Sequence, residues 1–124
     1  MKPLRIYIAG PYLPINCSIH DAARVAQHNV DRAIEVAHAL IERGHYPFIP
    51  HLSHYLHIHH SCQRDYGGDF YYKYDNTFLD NWAEALFFIA SSKGASAELE
   101  RAKKRNLIIF YDLEEVECVT TKSF

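Results

Sequence analysis

The chain has 124 residues, 48% of them hydrophobic, which is enough for one core and too little for two ordinary domains. Its formal net charge of -2, with Lys and Arg scattered among Asp and Glu, leaves no basic stripe to neutralise a phosphate backbone, so nucleic-acid polymers are excluded as expected partners. Cys17, Cys62 and Cys118 are odd in number and widely spaced, with no CxxC pair, which argues against a disulfide framework or a zinc ribbon and fits a reducing, cytoplasmic setting.

The opening "MKPLRIYIAG" lacks the pattern of a signal peptide, and no apolar run approaches a membrane span, so no membrane partner is expected. Within it, "LRIYIAG" is a short β-branched and aromatic run that stops at Gly10-Pro11, the pattern of a buried strand ending in a turn. From about Asp21 the period changes. Val30, Ala33, Ile34, Ala37 and Ile41 recur at helical spacing, Asp31, Arg32, Glu35 and Glu42 fall on the other face, and Gly44 follows as the stop. "HYPFIP" reads as strand two, bounded by Pro50, and "ALFFIA" as a fully apolar central strand three. "LIIFY" reads as strand four. Between strands three and four, Ser96 can cap a helix that runs through Leu99 and Ala102 to about Arg105, with Asn106 at its end. The tail "DLEEVECVTTKSF" suits either an edge strand or packing on a neighbour.

This alternation predicts an α/β chain, residues 1–124 forming one domain, with a mostly parallel sheet of four or five strands between helical layers, as in flavodoxin-like or Rossmann-like three-layer folds. In such sheets ligands bind beyond the carboxyl ends of the strands. Three features converge there: the Gly10-Pro11-Tyr12 turn, the loop after Pro50, and the small-residue loop from Ser91 to Ser96. The loop "HLSHYLHIHHSCQRDYGGD" is too polar for core, and His51 and His54 are expected to line the cleft. Its histidine spacing repeats no zinc pattern, so no metal is expected. The tyrosines of "DFYYKYD" suit either a lid that stacks a ligand or ordinary helix packing. Ser92, Lys93 and Gly94 can offer hydroxyl and backbone donors to a sugar or phosphate. Glu98, read as a first-turn residue facing solvent, is expected to stay ionised beside the unpaired N–H groups of the helix start.

Four segments taken together, "RIYIAGPY", "NVDRAIEVAHALIERGHYPFIPHLSH", "YKYDNTFLD" and "SSKGASAELERAKKRNLIIFY", resemble the nucleoside 2-deoxyribosyltransferase-like superfamily, which includes 2'-deoxynucleoside 5'-monophosphate N-glycosidases. The resemblance runs from Arg5 to Tyr111. It implies cleavage of an N-glycosidic bond in a nucleoside or nucleotide, with Glu98 of "AELERA" attacking the anomeric carbon, Tyr7 orienting it, and Asp75 contacting or protonating the base. Ser92 of the "S-x-G" loop resembles the residue that holds the 5' end of the nucleotide in the monophosphate-specific branch. The sugar passes to water in a hydrolase or to an acceptor base in a transferase, and neither needs a cofactor. Assembly as a homodimer or higher homo-oligomer is also implied.

The chain departs from the family pattern in two places. Four positions after Leu79 stands Ala83, with Asp80 and Glu84 as the neighbouring acids. The turn after strand one reads "GPYLPINCS" where a glycine- and arginine-rich phosphate loop is usual, so Tyr12 is left to cover sugar or base. Two other functions stay open on this fold: a noncatalytic nucleotide-binding module and an NAD-cleaving hydrolase.

Overall fold

Four short strands, β1 (Arg5–Ala9), β2 (Tyr46–Phe48), β3 (Ala85–Phe88) and β4 (Ile108–Phe110), form one sheet in the order β2-β1-β3-β4, and every pairing is parallel. The structure, a computed structural model, describes residues 1–12, 19–56 and 68–119. Parallel neighbours need long crossovers, and the helices supply them: α1 (Ile19–Glu42), α2 (Gly68–Asn81) and α3 (Lys93–Lys104). The strand count is four among the described residues, at the lower of the two expected values.

The twofold alternation of side chains divides the core. Ile6 and Ile8 of β1, with Ala85 and Phe87 of β3, pack against Ala33, Ala37 and Leu40 of α1. Tyr7 and Ala9, with Leu86, face the other way, onto Leu79 of α2 and Ala95 and Ala102 of α3. Register locks this division, since Ile6 lies beside Ala85 and Tyr7 beside Leu86. Both faces of the central strands are thus buried, the reason they read as unbroken apolar runs.

Several boundaries differ from expectation. Helix α1 starts at Ile19 rather than Asp21, and its inward stripe uses Leu40, fully buried, where Ile41 was expected. Ile41 is 41% exposed, because the stripe follows Val30, Ala33 and Ala37, and Leu40 continues that row three residues on. Gly44 ends the helix with a φ of 92°, the left-handed conformation that glycine adopts without a side-chain clash. The segment after β2 is more regular than a loop, with a 3-10 turn at Pro50–Leu52 and helical backbone over 53–56. Residues 57–67, with His57, His59, His60, Cys62 and Gly67, lie outside the described residues, and so does Cys17. Cys118 is a free, exposed thiol.

The tail adds no edge strand over its described part. It makes a 3-10 turn at Leu113–Glu115, buries Val116 against the α1 side of the sheet, and returns so that Val119 N–H donates to Arg43 O at 2.8 Å. Part of the apolar surface expected to face a neighbour is therefore used within the chain. No described helix is long and apolar enough to cross a membrane.

Candidate active site

The turns after β1, β2 and β3 meet at the carboxyl edge of the sheet and enclose a cavity of about 440 Å³. β1 leads into Gly10 and Tyr12; the segment after β2 brings Pro50, His51, Ser53 and His54. From α2 come Tyr71, Tyr72 and Asp75, and the start of α3 supplies Ser92 to Ala95 and Glu98. Every residue singled out from the sequence for this site lines the cavity except Tyr7, which lies behind the wall, fully buried, and reaches it through Glu98. Pro50, Ser53, Tyr71, Tyr72 and Ala95 are the lining residues for which the sequence offers no individual role in the site.

Helix α3 starts earlier than expected. Ser92, not Ser96, is its cap: the Ser92 backbone is extended and its hydroxyl oxygen accepts from Ala95 N–H at 3.1 Å. Ser96 already donates its N–H to Ser92 O inside the first turn. Glu98 is then the sixth helical residue, beyond the orphan N–H groups, so the helix dipole does not hold it ionised as expected. Burial instead pushes the Glu98 carboxyl up to about 7, offset in part by the hydrogen bond from Tyr7 and reinforced by the nearby Asp75.

Tyr7 donates its hydroxyl to Glu98 Oε2. Its ring packs on Phe48, with centroids 5.7 Å apart, and Phe48 stacks on Phe78 at 4.1 Å. This aromatic layer fixes the hydroxyl that fixes Glu98. Burial, and then the Glu98 carboxylate, raise the Tyr7 hydroxyl well above the ordinary tyrosine range, so it remains a donor.

Asp75 has a different partner. Ser53 Oγ lies 2.9 Å from Pro50 O and 3.0 Å from Asp75 Oδ2. A hydroxyl has one hydrogen, so an ionised Asp75 and the Pro50 carbonyl would compete for it. With a proton on Asp75, the carboxyl donates to Ser53 and Ser53 donates to Pro50, and both contacts are satisfied. Burial pushes Asp75 up to about 7, against the lowering effect of Ser53. The cavity therefore holds two carboxyls with unlike supports, one accepting from a tyrosine and one able to donate to a serine.

His51 is 5% exposed and places Nε2 3.1 Å from Pro11 O, which makes Nε2 the protonated nitrogen. Burial lowers its pKa, so the ring is neutral and Nδ1 is a lone-pair acceptor. That Nδ1, Tyr12 Oη and Asp75 Oδ1 are buried without a hydrogen-bond partner among the described residues. Three such atoms around one cavity are what a polar ligand would satisfy.

The two glycines differ. A Cβ at Gly10 would stand 3.1 Å from Ile89 Cβ, so glycine there lets β1 and β3 pass closely. At Gly94 a Cβ would meet nothing within 4 Å, so packing does not demand glycine and the space is left to the cavity. The tyrosines of α2 also divide: Tyr71 is buried and Tyr72 is 46% exposed, helical residues that both line the cavity. Asp80 and Glu84 are outside it, held by Arg101 and Arg5 respectively. Among the described residues no three His, Cys, Asp or Glu side chains gather as a metal ion would need.

Comparison of the chain with models of known protein families gives no match, and comparison with curated proteins gives none either.

Proposed function

We propose that the protein cleaves the N-glycosidic bond of a nucleoside or nucleoside 5'-monophosphate, with Glu98 as nucleophile and Asp75 as general acid. The observation that carries this reading is the pair of half-buried carboxyls in one cavity, Glu98 accepting from Tyr7 and Asp75 within 3.0 Å of Ser53. Breaking a bond from an anomeric carbon to a base nitrogen needs an anion on one side and a proton on the other. Glu98 carboxylate attacks the anomeric carbon as the C–N bond breaks. The bonding pair goes to the base nitrogen, which takes the proton of Asp75. Water then attacks the sugar ester, gives its proton to Asp75, and restores Glu98; an acceptor base in place of water makes the same chemistry a transfer.

A cavity of about 440 Å³ with tyrosine and histidine walls suits a ligand of nucleoside size. Lys93 is the one Lys or Arg side chain among the described lining residues, so recognition of a phosphate falls to Lys93, Ser92 and backbone N–H groups. The exposed aromatic residues Phe70, Tyr72 and Tyr74 on α2 support a homodimer or larger assembly, which sedimentation at working concentration tests. The decisive experiment for the activity is incubation with nucleosides, deoxynucleoside monophosphates and NAD, followed by chromatography for free base. Base release from a nucleoside or monophosphate is the expected result. Binding without release would make the protein a nucleotide-binding module instead.

A further inference from the structure

Asp75 and Glu98 stand on different helices, so the gap between them is set by how α2 sits against α3. The apolar packing there, Leu79 of α2 with Ala95 and Ala102 of α3 and with Phe78 and Leu99 beside them, is non-directional. Below it is a directional contact. Arg101 of α3 forks onto Asp80 of α2, Nε to Oδ1 and Nη2 to Oδ2, each at 2.5 Å. Arg105, the residue that caps the end of α3, donates to the carbonyl of Leu79 in the last turn of α2. Both arginines thus hold the carboxyl-terminal end of α2.

The spacing relates this grip to the acids. Asp80 is five residues beyond Asp75, about 7.5 Å of helix rise, and Arg101 is three beyond Glu98, about 4.5 Å. A fork with two parallel hydrogen bonds tolerates less sliding than a single contact between flexible chains. The pair is partly exposed, with side-chain exposures of 46% for Arg101 and 29% for Asp80, so it contributes little to overall stability. Its geometry is what it has to offer.

We propose that Asp80 and Arg101 are positioning residues that fix the distance between the Asp75 and Glu98 carboxyls. This rests on the reading of those two groups as the reacting pair. The effect is transmitted through the helices, since neither Asp80 nor Arg101 lines the cavity. The titratable and charged groups around the acids are Tyr7 from β1, Tyr12 after it, His51 and His54 after β2, Tyr71 and Tyr72 on α2 and Lys93 at the start of α3.

The test uses Arg101→Gln, Asp80→Asn and the double variant on the full chain. Expected are a 10- to 100-fold fall in kcat, about the cost of a misplacement near 1 Å, a KM within about threefold of the parent, and an almost unchanged midpoint of thermal unfolding. The double variant should be no worse than either single one, as for residues that act as one unit. Arg101→Lys, which keeps the charge and loses the fork, should recover little. Carbon-13 titration of the Asp75 and Glu98 carboxyls gives a readout independent of turnover: their mutual coupling should change in Arg101→Gln. Parent-like kcat in Arg101→Gln, or additive losses in the double variant, would overturn the proposal. If the parent releases no base from any nucleoside, the reaction reading fails by itself, and an unchanged carboxyl titration would then overturn the positioning role separately.

Discussion

His45 and His51 stand at the two ends of β2, both buried, and their hydrogen bonds differ in kind. At the amino end, His45 Nδ1 accepts from Leu4 N–H at 3.1 Å and Nε2 donates to Glu117 O at 2.7 Å. Both ring nitrogens are occupied, and they tie the tail to the entrance of β1. At the carboxyl end, His51 gives Nε2 to Pro11 O and leaves Nδ1 without a partner among the described residues. The contrast extends along the cavity that His51 lines: Tyr12 Oη and Asp75 Oδ1 are also buried there without a partner among the described residues. One edge of the sheet is closed by its own backbone. The other keeps hydrogen-bonding capacity that the fold does not use, at a cost that makes sense when a ligand meets it.

Breaking the open edge should cost activity, and the largest such effect after Glu98 itself is expected at Asp75. Asp75→Asn removes the proposed proton donor and should lower kcat about 10²- to 10⁴-fold, the range for general acid catalysis. It should also remove the alkaline limb of the pH–rate profile, because the proposed reaction needs one carboxyl protonated and the other ionised. Steady-state rates across pH check both. Breaking the closed edge should cost stability instead. His45→Ala leaves Leu4 N–H and Glu117 C=O without their partner beside a new void, worth about 2–4 kcal/mol, with KM of the folded protein unchanged. Denaturant unfolding paired with kinetics separates the two.

The pH dependence of stability sharpens the same contrast. Asp75 and Glu98 are raised to about 7 in the folded chain, above the carboxylate range of an unfolded one. The fold prefers their protonated forms, so their contribution to stability is present below about pH 4 and is lost as pH rises through about 7. Glu98→Gln, which cannot ionise, should melt a few degrees above the parent at pH 8 and close to it at pH 4. The smallest effect is expected at Gly94. Gly94→Ala should raise stability by up to about 1 kcal/mol through helix propensity while raising KM severalfold, since its methyl group would enter space that the fold leaves empty.

What the sequence made legible follows from range. The parallel strands could be read because both faces of β1 and β3 are buried and leave no polar alternation. The site loops could be read because an α/β order places them at one edge. Residue type alone could not choose between Ser92 and Ser96 as the cap, since both are serines before a helical pattern; the extended backbone at Ser92 decides it. Nor could it find the surroundings of Glu98, whose carboxyl accepts from Tyr7, 91 positions away. Ser53 carried no signal of its own, because its meaning comes from Asp75, 22 residues on. Long-range partners, not local pattern, determine the charge states of the site.

The central proposed step is attack of Glu98 on the sugar while Tyr7 holds the carboxylate in place. It is tested most directly by single-turnover release of base from whichever nucleoside or monophosphate the parent cleaves, with parent and Glu98→Gln compared at saturating substrate. Expected are base release by the parent and a rate at least about 10³-fold lower in Glu98→Gln, as for loss of a nucleophile, with substrate still bound. Equal rates in the two proteins would contradict it.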